Sequence, residues 1–222
     1  MSPHFTPALF EFLAQLRRHN RRDWFLKNKP RYESDVRDPA LRFIADLAPR
    51  LRAISPYLVA DPRPNGGSLF RIYRDTRFSA DKKPYKIHTG MHFPHAKAGD
   101  DVHVPGYYFH LQPGESFLAA GIWRPDAPAT YRIRSAIAAG PQRWKKAYRG
   151  FELEGDSLQR PPHGFPASHP LIEDLKLKDF LVSTALTDRE ICSPGFLARF
   201  MKECRRMAPL VGFLSESLGL KF

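Results

Sequence analysis

Residues 107–123 have the sequence YYFHLQPGESFLAAGIW, and this stretch decides the fold class. Two apolar segments rich in aromatic residues, 107–112 and 117–123, flank the tripeptide Pro113-Gly114-Glu115. Proline and glycine between two such segments are typical of a hairpin turn. The stretch therefore predicts two antiparallel strands that are neighbours in the middle of the chain.

Period-two alternation extends the predicted sheet on both sides of this hairpin. Residues 68–74 and 87–93 precede it with strand-like patterns, and residues 180–186 follow it. Apolar residues at helical spacing occupy both ends of the chain and residues 127–149, and the helix start signals are Thr6-Pro7, Asp38-Pro39 and Ser193-Pro194. The sequence predicts an α+β fold: a central, largely antiparallel sheet (about residues 68–123 plus 180–186) packed by N-terminal and C-terminal helices.

Length and composition indicate an ordered protein. The chain has 222 residues, of which 42% are hydrophobic and 26% charged, so we expect a single domain over residues 1–222. No run of about 18 apolar residues occurs, which predicts no membrane span. Cys192 and Cys204 stand in no metal-ligand spacing, and the N-terminal residues do not resemble a secretory signal. These features predict reduced thiols and a cytoplasmic location.

Positive charge is concentrated in one segment. The formal net charge is +12, and residues 71–86, RIYRDTRFSADKKPYK, hold six basic residues against two acidic ones. Carboxylates beside arginines stay ionised and orient the guanidinium groups, which bind phosphate or carboxylate through paired hydrogen bonds. The segment therefore predicts an anion-binding site. Its candidate ligand-binding residues are Arg71, Tyr73, Arg74, Asp75, Arg77, Asp81, Lys83, Tyr85 and Lys86.

The same run resembles the signature of a family known as domain of unknown function 2461. The resemblance extends to NRRDWFLKNKPRYE at 20–33, to the hairpin YYFHLQPGESFLAAGIWRP at 107–125 and to HPLIEDLKLKDF at 169–180. It covers nearly the whole chain as one unit. The resemblance implies one domain and a cytoplasmic location, and it implies no activity, ligand or catalytic residue.

Five of the nine histidines fall between residues 88 and 110. His88, His92 and His95 form the pattern H-x3-H-x2-H, but in a strand His88 and His92 lie about 13 Å apart, so we expect no metal site. His110 lies in a predicted strand. If that strand pairs close to residues 71–75, His110 faces the basic segment as a candidate acid or base.

Three functions remain open from the sequence. The first is a binding module for an anionic, phosphate-bearing small molecule, held by the basic segment. The second is an enzyme acting on a phosphorylated or otherwise anionic substrate, with Asp75 or His110 as the acid–base group. The third is a basic face that binds nucleic acid. A purely structural role for residues 71–86 is the alternative to all three, and the sequence indicates neither a cofactor nor an oligomeric state.

Overall fold

A computed structural model of the protein describes residues 3–98 and 103–222. Helices occupy most of residues 7–52, and the first three strands of the sheet lie between residues 89 and 122. The helices are α1 (Pro7–Arg18), α2 (Arg22–Lys27), α3 (Lys29–Tyr32), α4 (Asp38–Arg52), α5 (Ala127–Ala139), α6 (Pro141–Ala147), α7 (Ile172–Lys176), α8 (Asp188–Ile191) and α9 (Phe196–Ser217). A π-helical turn at Glu33–Arg37 joins α3 to α4, and a 3₁₀ turn occupies Ala96–Ala98.

The strands are β1 (Thr89–Pro94), β2 (Gly106–Leu111), β3 (Ser116–Ile122) and β4 (Phe180–Leu186). They form an antiparallel sheet in the order β1-β2-β3-β4, with Met91 opposite Phe109 and Phe109 opposite Leu118. The predicted α+β class is confirmed. The predicted hairpin is confirmed too, because residues 112–115 connect β2 to β3 and Gly114 has a φ of 72°.

One face of the sheet is buried under the helices. Period-two geometry directs alternate side chains to the same face, and Phe93, Phe109, Leu118 and Val182 on this face are fully buried. Helix α9 packs here, where the Tyr107 hydroxyl donates a 2.8 Å hydrogen bond to the Cys204 carbonyl oxygen. The aromatic rings of Phe109 and Phe200 lie 5.0 Å apart. The core therefore lies between this sheet face and the helices from the two ends of the chain.

The predicted strand at 68–74 forms only an irregular extension of the sheet. Residues 68–88, called the arm below, run out from the edge of β1 and return to it. Its pairing consists of single bridges, Leu69 with Met91 and Tyr73 with Tyr85. A bend at Ile72 interrupts the alternation of side chains, and Pro84 has no N–H group to donate to a ladder. Alternation in a strand over residues 68–74 predicts both Phe70 and Ile72 in the core. Ile72 is buried, but Phe70 lies on the opposite face of the sheet from the core.

Candidate functional site

The second face of the sheet is not covered by helices, and it carries a cavity of about 510 Å³. Its base consists of the side chains that alternate with the core residues on the strands. These are His92 on β1, Tyr108 on β2, Phe117, Ala119 and Gly121 on β3, and Leu181 on β4. Val104, Trp123 and Glu154 complete the far side. A sheet face that is polar in part and concave is a common location for a small-molecule site.

The arm supplies the near wall of this cavity through Phe70, Lys86 and His88. The ring of Phe70 lies 6.1 Å from the rings of both His92 and Tyr108, so it closes one end of the sheet face. Backbone hydrogen bonds from Phe70 to Gly90 and from Lys86 to Ile72 fix this wall against β1. The absence of a side chain at Gly90 makes room for Tyr108, because a Cβ there would lie 2.5 Å from the Tyr108 hydroxyl oxygen.

Lys86 carries a positive charge into the cavity wall without a counter-ion. Its Nζ lies 5.4 Å from the centroid of the Phe70 ring. Burial, and after it the charge of Arg71, lower the pKa of Lys86. Within the described ranges 3–98 and 103–222, neither Lys86 nor Arg71 forms an ion pair with a carboxylate. Two like charges, one of them half-buried, therefore repel each other at the edge of the cavity.

The histidines behind this wall form a neutral, hydrogen-bonded group. The ring of His88 lies 4.4 Å from that of His110, and the Tyr108 hydroxyl lies 3.1 Å from Nδ1 of His110. His110 also stacks on Phe117, with 4.8 Å between ring centroids. Burial, with smaller contributions from His110 and Lys86, lowers the pKa of His88 to about 4. Burial likewise lowers the pKa of His110 and raises that of Tyr108 to about 12.

Among the described residues, the lysine and carboxylate side chains on the cavity lining are those of Lys86 and Glu154. Glu154 is already engaged, because its Oε1 accepts a 2.5 Å hydrogen bond from the Ser183 hydroxyl. In the part of the chain that the structure describes, no carboxylate pairs with Lys86. The cavity consequently combines an aromatic base with one uncompensated positive group, an arrangement that can hold an anionic ligand with an apolar body.

Most of the predicted ligand-binding residues lie farther out, on residues 74–83, called the outer loop below; they are Arg74, Asp75, Arg77, Asp81 and Lys83. Two ion pairs organise this loop: Arg77 Nη2 to Asp75 Oδ2 and Arg74 Nη1 to Asp81 Oδ2, each 2.7 Å. Hydrogen bonds from Arg77 lower the pKa of Asp75 to about 2. The expected ionised carboxylates beside arginines are thus present, but each binds one guanidinium of the same loop. Lys83 is exposed beside them, and Phe78 at the tip is 95% exposed.

The two tyrosines of the predicted set have different environments. Tyr85 is 2% exposed, and its ring stacks on that of Phe25 with 4.1 Å between centroids. Tyr73 is 49% exposed and contacts both Phe25 and Tyr85. Tyr85 therefore anchors the arm in the core, whereas Tyr73 covers that anchor at the surface.

The two alternative candidates for the acid–base group, Asp75 and His110, lie in different places. His110 lies opposite Gly90, which pairs with Phe70, and Asp75 follows Phe70 by five residues. Five extended residues span about 16 Å. In the described part of the chain, no hydrogen bond or ion pair joins Asp75 to His110. Of the predicted set, Lys86 lines the cavity and Arg71 lies beside it, while Arg74, Asp75, Arg77, Asp81 and Lys83 lie on the outer loop or at its base.

Sequence reasoning missed Phe70, His88, Tyr108 and Trp123 as lining residues. The sequence feature that could have found them is the alternation of side chains along the strands, which places Tyr108, His110 and their neighbours on the face opposite the core.

The third histidine of the H-x3-H-x2-H pattern, His95, is buried, and its ring hydrogen-bonds the Lys221 carbonyl oxygen at 2.8 Å. Among the described residues, no three metal-ligating side chains converge. Within the same ranges, no helix is long and apolar enough to span a membrane.

Comparison with known proteins identifies one family. The family model described as "Conserved hypothetical protein (DUF2461)" matches residues 8–213 of the 222 residues. The match includes the arm, all four strands and α1 to α8, together with most of α9. No curated protein and no solved structure matches the chain.

Proposed function

We propose that this chain, which belongs to the DUF2461 family, binds a small anionic molecule in the cavity between the arm and the open sheet face. In this proposal Lys86 binds the anionic group, which is a phosphate, sulfonate or carboxylate. Arg71 increases the positive potential at the same point. The aromatic and apolar side chains at the base contact the rest of the ligand.

The observation that carries the proposal is the charge of Lys86, which no carboxylate of residues 3–98 and 103–222 compensates. A half-buried ammonium group beside a second cation is unfavourable in the unliganded protein. An anion bound next to Lys86 and Arg71 removes that repulsion and supplies the missing hydrogen-bond acceptor. The cavity of about 510 Å³ lies within the usual range of about 300–1,000 Å³ for small-molecule sites.

The charge distribution of the arm favours this ligand class over nucleic acid. Ion pairs within the outer loop compensate Arg74 and Arg77, which a nucleic-acid backbone would otherwise contact. The uncompensated charge of Lys86 instead borders an enclosed, mostly apolar space. A flexible polyanion needs an exposed track of cations, whereas a compact anion needs one cation beside a cavity of its own size.

The proposal is tested with a matched pair of ligands, 2-naphthalenesulfonate and the neutral 2-naphthol. We expect the sulfonate to bind more tightly than the alcohol, and Lys86→Ala to remove that difference. Lys83→Ala is the control, because Lys83 is an exposed cation of the same arm outside the cavity. NMR titration of the full chain measures both affinities.

A second variant tests the shape of the cavity independently of its charge. Ala119→Phe fills the base of the cavity without changing its charge. We expect it to weaken both ligands by about tenfold or more. Equal affinities of the wild-type protein for sulfonate and alcohol would contradict the role of Lys86. Unchanged affinities in Ala119→Phe would contradict the position of the site.

A further inference from the structure

A second cavity lies on the helical side of the sheet, between α6 and α9, and its volume is about 660 Å³. Trp144 of α6 packs on Phe213 of α9, with 5.1 Å between the rings, and this contact sets the spacing of the two walls. The charged lining residues are Arg143, Lys146, Arg149, Arg205, Arg206 and Glu216. Among the described lining residues, five basic side chains therefore stand against one acidic side chain.

Two of these arginines are held by partners. Arg143 forms an ion pair with Glu216, and its guanidinium carbon lies 5.5 Å from the centre of the Phe213 ring. Arg206 binds Glu203 at 2.6 Å and stacks over Phe151 at 4.9 Å. A guanidinium held by both a carboxylate and an aromatic face loses little further entropy when it contacts a ligand. These two arginines form a fixed frame for the cavity.

The other three cations have no such partner. Lys146 and Arg149 follow Arg143 along and just beyond α6, and Arg205 faces them from α9. None of the three forms an ion pair within residues 3–98 and 103–222. Residues three apart on a helix share one side, so Arg143 and Lys146 point to the same cavity wall. The cavity thus has free positive charge on both walls.

The base of this cavity is apolar. Ile54, Phe213 and Phe222 line it beneath the charged groups. Gly212 permits this packing, because a Cβ there would lie 2.9 Å from Cδ1 of Phe222. Cations above an apolar base in a space of this size are suited to a small ligand rather than to an extended chain.

We infer that the α6–α9 cavity binds a small ligand that carries two or more phosphate groups. Two linked phosphates carry more negative charge than one and offer acceptors on two groups, which suits a cavity with unpaired cations from α6 and its C-terminal end and from α9. This site is separate from the cavity of Lys86, because α9 packs on the opposite, core-facing side of the sheet. The two sites therefore need different residues and are tested by different variants.

The test is calorimetric titration of the full chain with pyrophosphate at about 0.15 M salt. We expect the double variant Lys146→Ala/Arg149→Ala to raise the Kd by about tenfold or more, because two charge-assisted hydrogen bonds are lost. The matched control is Lys145→Ala/Arg132→Ala, which removes the same charge from exposed positions outside the cavity. Its Kd should stay within about twofold of the wild-type value.

Three results would overturn the inference. One is the absence of pyrophosphate binding by the wild-type protein at millimolar concentration. A second is an equal loss of affinity in the two double variants, which would indicate a general effect of net charge. The third is a loss of binding in Lys86→Ala with none in Lys146→Ala/Arg149→Ala, which would assign pyrophosphate to the other cavity.

Discussion

The side-chain amide of Asn20 binds the backbone of Tyr85 at both of its polar groups. Asn20 Nδ2 donates to the Tyr85 carbonyl oxygen at 2.9 Å, and the Tyr85 N–H donates to Asn20 Oδ1 at 3.1 Å. Asn20 is buried, and the two residues are 65 positions apart. This contact fastens the base of the arm to the loop after α1, one residue before Lys86.

Replacing Asn20 should therefore destabilise the protein. Asn20→Ala leaves two buried backbone groups of Tyr85 unpaired, and we expect a loss of about 2–4 kcal/mol in the free energy of unfolding. Urea denaturation measures it. The exposed Asn65→Ala is the control, with a change below about 0.5 kcal/mol. Similar stabilities of the two variants would show that the hydrogen bonds between Asn20 and Tyr85 contribute little to the free energy of unfolding.

Replacing Lys86 should stabilise the unliganded protein. Lys86→Met keeps the length of the side chain over Phe70 and removes the repulsion from Arg71. We expect a gain of about 0.5–2 kcal/mol in the free energy of unfolding, together with the loss of anion binding. Lys83→Met, at an exposed position, should give no gain. A less stable Lys86→Met protein would indicate that the ammonium group is already compensated.

Stability should depend on pH through His88. Its pKa is lowered from 6.5 to about 4 in the folded protein, so the unfolded chain binds the proton more readily. The free energy of unfolding therefore falls as pH decreases from about 6.5 towards 4, and the loss from this group is complete below the folded pKa. The charged forms of His110 and Lys86 lie close enough to disfavour protonation of the His88 ring.

His88→Asn tests this assignment. We expect the variant to lose less stability than the wild-type protein between about pH 7 and pH 4.5, measured by urea denaturation. The comparison at about pH 7.5, where the His88 ring is neutral in both states, isolates the effect of lost packing. Parallel pH profiles of the two proteins would show that other groups cause the acid sensitivity.

Gly90 and Tyr108 should behave as a coupled pair. The Cβ of Gly90→Ala would lie 2.5 Å from the Tyr108 hydroxyl oxygen, so we expect a loss of about 1–3 kcal/mol. Tyr108→Phe removes that oxygen and should recover part of the loss. A double-mutant cycle measures the coupling energy. Strict additivity would show that the Tyr108 ring moves away freely.

Much of the fold follows from local sequence features. The strand predicted at 180–186 has the bounds of β4, and the turn at Pro113-Gly114 joins β2 to β3 because its residues favour that turn chemistry. Helix α1 begins at Pro7 as predicted, although the Thr6 side chain makes no capping hydrogen bond. The interrupted pairing of the arm was harder to predict, because it depends on a bend at Ile72 and on Pro84, which lies opposite Arg74 and has no N–H group to donate.

The candidate site was predictable only in part. The basic run located Lys86 and Arg71, since local charge density is visible in the sequence. The charge density alone did not show that Arg74 and Arg77 form ion pairs, because their pairing with Asp81 and Asp75 depends on the geometry of the outer loop. Trp123, Glu154 and Leu181 come from distant parts of the chain and reach the cavity only through the pairing of β3 with β4 and the contact of residue 154 with residue 181.

The alternation of β1 and β2 has a practical consequence for directed evolution. In both strands the odd-numbered residues, such as Met91 and Phe109, are committed to the core, while the even-numbered His92, Tyr108 and His110 belong to the open face. A combinatorial library limited to those even positions changes the open face of the sheet while leaving every core side chain of the two strands unaltered. New ligand preferences should therefore be accessible to this scaffold at small cost in folding yield.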